Sequence, residues 1–259
     1  MEKFGKSQSV LRTEDHRFLT GKGQYVDDVA PDDALFAYVF RSPVAHAEII
    51  ALDVEDARAS TGVKAVVTAP DLKSAGIISG MAATVLQNRD GTKAAAPRRP
   101  LLAEDRLRFL GEPVAVVIAE TFDQACDAAE LIILDYQELD VHLELHEGGA
   151  QIHKEAPLNR AFDWSCGAEA ATAEAFEKAA HHVRLSIADN RIIASSLEPR
   201  GCYAEWADDR LHVCVNGQGV WGTKSRLAKM LNLPEATIRV TNPDVGGGFG
   251  MKEIGRAHV

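Results

Sequence analysis

The chain is short of basic residues, has few cysteines in no ligand spacing, and lacks any long apolar run. Its four cysteines, Cys126, Cys166, Cys202 and Cys214, show no Cys-x-x-Cys pattern. A zinc site or an iron–sulfur cluster needs clustered thiolates, so neither class is indicated. The four read as buried, reduced thiols of a cytoplasmic protein. Lys and Arg number 28 against 38 Asp and Glu, for a net charge of −10. Phosphate binding wants a basic surface, which argues against a nucleic-acid partner. No stretch is apolar for the length of a bilayer span. The opening residues Met1-Glu2-Lys3-Phe4-Gly5-Lys6 carry no apolar signal core. With 259 residues, 46% of them hydrophobic, the chain has material for one large or two modest domains.

What is present is concentrated near the end, in Val245-Gly246-Gly247-Gly248-Phe249-Gly250-Met251-Lys252. Glycine lacks a Cβ and accepts positive φ, so such a run lets backbone amides close on an anionic or bulky partner. The aromatic Phe249 separates it from a Gly/Ser linker. We read it as a cofactor loop, with a tight turn between elements as the plainer alternative. A phosphate-binding P-loop does not fit, because Lys252 follows too soon and no Ser or Thr comes after it. The last six residues, Ile254-Gly255-Arg256-Ala257-His258-Val259, match one frame of a common sequencing adapter. They are read as an artefact and Glu253 is given no role, which makes the chain the N-terminal part of a longer protein.

Along the chain, residues 1–18 read as an extended arm. Strand-like runs occur at Gln24–Val26, Ala34–Phe40, Ile49–Val54, Val63–Thr68, Pro113–Ala119 and Ile132–Tyr136. Short helices are expected at Glu55–Ala59 and, capped by Thr121, at Phe122–Leu131. Ala69-Pro70-Asp71-Leu72 is expected to end a strand, and 76–100 to form a loop. After a connector over 141–163, a helix is expected at Ala168–Ala180 and alternating strands at His181–Ile187 and Arg210–Val215. A helix at Lys224–Leu231 and a strand at Thr237–Val240 lead into the glycine loop. Strands alternating with short helices imply an α+β or α/β organisation over 19–140.

Several segments together resemble one family. They are Arg12–Asp28, Arg41-Ser42-Pro43-Val44-Ala45-His46-Ala47, Gly111-Glu112-Pro113-Val114-Ala115, Leu197-Glu198-Pro199-Arg200-Gly201, Gln218 and Gly246–Lys252. In this order they are similar to the molybdopterin-binding large subunit of the xanthine dehydrogenase/aldehyde oxidase/carbon monoxide dehydrogenase family. The resemblance implies an α+β fold. An a/b hammerhead domain at 19–140 would precede an incomplete first molybdopterin-binding domain at 164–253.

The same resemblance implies a molybdenum hydroxylase, acting on an aldehyde or N-heterocycle, or oxidising carbon monoxide, with water-derived oxygen. It implies a molybdenum–molybdopterin cofactor in the cytosine dinucleotide form. The implied partners are an iron–sulfur small subunit and an FAD-binding medium subunit. Gln218 would donate a hydrogen bond to a cofactor oxygen, with Gly247, Gly248, Phe249 and Gly250 beside the metal centre. Glu198 and Arg200 would lie close by, or simply form an ion pair with each other. His46 reads as a packing histidine. The general-base glutamate of the family lies further downstream, so no catalytic residue is assigned and these residues alone are expected to be inert. The alternative is a non-catalytic hammerhead-type module that docks partner subunits.

Overall fold

The computed structural model describes residues 11–77, 80, 86–189 and 192–252. Glu253 and the adapter-like hexapeptide lie outside the described residues. The chain divides into two compact units. One comprises 1–34, 190–229 and 233–259, and the other 35–189 with 230–232.

Two short helices, α1 (Asp15–Leu19) and α2 (Val26–Val29), come first. The sequence expectation of a strand beginning at Gln24 is not met. The Asp28 carboxylate accepts the Tyr25 backbone N–H at 2.8 Å and the Tyr25 carbonyl accepts the Asp28 N–H at 3.0 Å, and this carboxylate cap turns the chain into a helix.

The second unit holds two three-stranded sheets. Its elements are β1 (Phe36–Arg41), β2 (Ala47–Asp53), α3 (Glu55–Ala59), β3 (Val63–Thr68), α4 (Ala69–Ser74), β4 (Arg106–Leu107), β5 (Pro113–Ala119), α5 (Phe122–Glu130), β6 (Ile133–Glu138) and α6 (Glu169–Lys178). The antiparallel sheets run β1-β5-β3 and β4-β2-β6. Strand β5 is buried on both faces, as its unbroken apolar run requires. Ala115, Val117 and Ala119 pack with Ala57, Ala125, Ala128 and Ala129 of α3 and α5, while Val114 joins Ala47 and Leu107. Alanines along α5 leave no bulk between helix and sheet. Thr121 Oγ1 accepts the Gln124 N–H at 3.2 Å, and Gln124 Oε1 accepts the Thr121 N–H at 3.1 Å, a cap worth about 1 kcal/mol.

Residues 69–72 do not simply end β3; they start α4. Proline is tolerated in a first helical turn, where its missing N–H has no partner to lose. Asp71 caps the turn through the Thr68 N–H at 2.8 Å. His46 packs as expected: it is buried and its Nδ1 lies 2.6 Å from the Asp140 carbonyl.

The remaining elements are β7 (Cys202–Ala207), β8 (Arg210–Val215), α7 (Trp221–Leu231) and β9 (Ile238–Thr241). Strands β7 and β8 form an antiparallel hairpin, and β9 pairs with β8 in parallel. The hairpin turns on Asp208 and Asp209, both at positive φ (50° and 55°), the backbone of a two-residue primed turn. The strand expected at His181–Ile187 is absent. Its alternating residues Val183, Leu185 and Ile187 are 91%, 77% and 78% exposed. Alternation marks an apolar face, but a strand also needs a hydrogen-bonded neighbour, and none is present among the described residues. The cysteines are free, but only Cys214 is buried; Cys166 and Cys202 are exposed and Cys126 is intermediate.

Candidate functional site

Parallel β8 and β9 are joined through α7, since a parallel pair needs a crossover. Leu211 pairs with Ile238 and Cys214 with Thr241, so both strands end at the same edge. The segment after β8 is Asn216-Gly217-Gln218, and the segment after β9 runs from Asn242 into the glycine loop. Crevices at the carboxyl ends of adjacent parallel strands are favoured ligand sites. The Asn242 Nδ2 donates to the Gly217 carbonyl at 2.8 Å, which ties the two segments together.

The glycines are required by contact as well as by conformation. A Cβ on Gly246 would lie 2.5 Å from Glu198 Cβ, and one on Gly248 would lie 2.7 Å from Gln218 Cγ and Cδ. Gly247 and Gly250 sit at φ +102° and +81°, in the region where L side chains are strained. Phe249 adopts φ +52° without being glycine, and its side chain is 77% exposed. Non-glycine residues held at positive φ concentrate at ligand sites. The loop closes on itself where the Met251 N–H donates to the Gly248 carbonyl at 3.0 Å.

One carboxylate organises this edge. Glu198 Oε2 accepts the Gly246 N–H at 2.7 Å and the Lys252 ammonium at 2.7 Å. The Glu198 N–H in turn donates to the Gly246 carbonyl at 3.1 Å. Burial pushes the Glu198 carboxyl up, but Lys252, Asn216 and the Gly246 N–H outweigh it and hold the group below its ordinary range. Asn216 is buried; it accepts the Gly201 N–H at 3.0 Å and donates to the Pro199 carbonyl at 2.7 Å. Arg200 Nε donates to the Met251 carbonyl at 2.7 Å. Glu198 is thus paired with Lys252, where the sequence had offered Arg200.

The structure brings Gln218, Gly247, Gly248, Phe249 and Gly250 to one edge. Gln218 lies against Gly248, and Phe249 folds its ring toward Gly247. Gln218 Oε1 accepts the Lys252 backbone N–H at 3.3 Å, while its Nε2 has no partner among the described residues. The N–H groups of Gly247, Gly248, Phe249 and Gly250 likewise have none among them. Sequence reasoning missed Asn216 and the linkage of Glu198 to Lys252. The lysine closing the glycine run was the available signal. Elsewhere, the Gly111-Glu112-Pro113 segment enters β5. There burial raises the Glu112 carboxyl, opposed by the N–H and charge of Arg108.

Among the described residues no group of three or more His, Cys, Asp or Glu is placed to hold a metal ion. The donor set at this edge is instead made of amides, which suit a ligand that presents oxygens. The Gln218 Nε2 and the loop N–H groups, without partners among the described residues, fit such a group.

The family described as "Aldehyde oxidase and xanthine dehydrogenase, a/b hammerhead domain" matches residues 20–140, and "Molybdopterin cofactor-binding domain" matches 152–259. The chain belongs to the aldehyde oxidase and xanthine dehydrogenase family. Members similar to it include the nicotine 6-hydroxylase large subunit of Paenarthrobacter nicotinovorans. That protein is 38% identical over 257 residues, which are 96% of this chain and 30% of the relative. The carbon monoxide dehydrogenase large chain of Hydrogenophaga pseudoflava is 30% identical, over 96% of this chain and 32% of its own. The crystal structure of quinoline 2-oxidoreductase from Pseudomonas putida 86 superposes with a TM-score of 0.76 at 35% identity, over 95% of this chain and 31% of that one. The chain therefore spans about a third of the length of these relatives. The fold is α+β, a hammerhead domain followed by molybdopterin-binding sequence, as the family has it.

Proposed function

We propose that the chain is the N-terminal portion of the large subunit of a molybdenum hydroxylase that places water-derived oxygen on a ring carbon of an N-heterocycle. The observation that carries the reading is the edge formed by β8 and β9. There the Gln218 amide lies against Gly248, and the N–H groups of Gly247, Gly248, Phe249 and Gly250 have no partner among the described residues. When bound, the molybdenum–molybdopterin cofactor supplies the redox centre for the reaction at carbon. Gln218 donates through Nε2 to a cofactor oxygen and orients the group without ligating the metal. The loop amides add donors at fixed positions.

The heterocycle is favoured because the relatives at 38% and 35% identity are named for nicotine and quinoline. The cofactor is proposed in its cytosine dinucleotide form, with an iron–sulfur small subunit and an FAD-binding medium subunit as partners, in the cytoplasm. The catalytic base is proposed to lie outside these residues. Among the described residues no helix is long and apolar enough to cross a membrane.

The test is to produce the complete large subunit with its partner subunits in a host that makes the cofactor. Metal analysis and turnover of nicotine or quinoline in ¹⁸O-labelled water are then measured. We expect bound molybdenum, labelled product, and a loss of about 10- to 100-fold in kcat for Gln218→Leu. A subunit that binds no molybdenum contradicts the proposal, and turnover of carbon monoxide alone overturns the choice of substrate.

A further inference from the structure

We propose that the buried Glu198–Lys252 pair is the positioning device of this edge, fixing which end of the Gln218 amide faces the ligand. The pair is the most enclosed ion pair among those described, with side chains 16% and 1% exposed. An ammonium taken this far out of water is unfavourable unless fully paired, so its burial beside a ligand loop calls for a role. Geometry supplies one. The two ends of Lys252 address two partners. Its Nζ reaches Glu198 Oε2 at 2.7 Å, and its backbone N–H reaches Gln218 Oε1 at 3.3 Å.

An N–H can only meet the oxygen of a carboxamide, never its NH2. The contact therefore assigns the amide: oxygen toward the loop, NH2 toward the open side. Reversed, the same side chain would turn a lone pair on an oxygen-rich ligand and repel it. Glu198 sets the second coordinate. Through the Gly246 N–H it holds the start of the glycine loop, and through Lys252 it holds the end. Gly248, caught between, lies close enough to Gln218 that a Cβ would meet the side chain at 2.7 Å. Both residues are positioning residues, since neither contacts the open face itself. The inference rests on the reading of Gln218 as a donor to the cofactor.

The experiment uses the complete large subunit, labelled with ¹⁵N and purified free of cofactor. The Gln218 side-chain NH2 resonances, assigned by their loss in Gln218→Glu, are followed together with amide exchange at Gly246 and residue 252. Lys252→Met keeps an unbranched stem and removes the ammonium, with both its charge and its hydrogen bond to Glu198. We expect it to raise exchange at both amides at least tenfold and to move the Gln218 NH2 pair toward the shifts of an unconstrained glutamine side chain. Glu198→Gln, which retains an acceptor for Gly246, should give a smaller effect of the same sign. Lys64→Met, which breaks the exposed pair with Glu120, should change neither readout.

The proposal is overturned if folded Lys252→Met leaves the Gln218 NH2 pair and both amides as in the parent chain. Should Lys252→Met not fold, Glu198→Gln decides, and unchanged signals there overturn the proposal equally. An effect matched by Lys64→Met also overturns it, because it would report global loosening. The molybdenum content of Gln218→Leu in the complete subunit tests the function itself, and that outcome does not depend on Lys252.

Discussion

Two glycines of the loop are needed for different reasons, and their alanine variants should differ. At Gly248 an added Cβ meets Gln218 at 2.7 Å, whereas at Gly250 it meets nothing within 4 Å but must sit at φ +81°. Gly250→Ala should therefore cost only left-handed backbone strain, about 1–2 kcal/mol. Gly248→Ala adds a methyl to an occupied space, typically about 1–3 kcal/mol, and it displaces Gln218. Urea unfolding gives the two stabilities, and the Gln218 side-chain resonances separate them. We expect those resonances to shift in Gly248→Ala and to hold in Gly250→Ala. The reverse pattern would mean that conformation, not contact, fixes the amide. Gln218 and the loop glycines were singled out from the sequence because a glycine run around one aromatic has few structural uses. Asn216 was not, because nothing local in the sequence distinguishes a buried asparagine that clamps a turn from an ordinary strand-end residue.

At the scale of elements, the N-terminal arm is held beside the loop by charge. The Arg17 guanidinium pairs with the Asp244 carboxylate, which also accepts the Gln24 N–H at 2.8 Å. The bond to Arg17, then that to the Gln24 N–H, hold the Asp244 carboxyl below its ordinary range. A depressed carboxyl adds stability that is complete above the ordinary aspartate value of about 3.9. It is lost as pH falls below that value through the lower native one. Acidification should thus loosen α1 and α2, read as faster exchange or proteolysis near Arg17. Asp244→Asn should show that loosening already at neutral pH and flatten the acid response. An arm equally protected in parent and variant at every pH would contradict this.

Strands with a clear period and strong β-formers, such as β3 and β5, were legible in the sequence to within a residue or two. So was α5, through Thr121. The errors have physical causes. A single carboxylate cap on Tyr25 makes Val26–Val29 a helix. A proline in a first turn permits α4 where a break was expected. Alternation at His181–Ile187 supplies a face but no neighbour. Strand β7 was overlooked, although the Asp208-Asp209 pair before a clear strand was a usable hairpin signal.

At the scale of the molecule, two family matches tile residues 20–140 and 152–259, and the chain spans about a third of its relatives. The proposed function depends on the edge of the parallel pair β8 and β9. Under the proposed function, Gln218 and the glycine loop there form one cofactor-facing surface, delivered by the crossover through α7. The most direct measurement is hydrogen–deuterium exchange of the complete large subunit, purified from hosts that make or lack the molybdenum cofactor. Cofactor should protect peptides covering Asn216–Gly219 and Gly246–Lys252 together, while exchange across β5 is unchanged; that is the result expected of this surface. Cofactor-dependent protection that leaves both segments at their cofactor-free rates would contradict it.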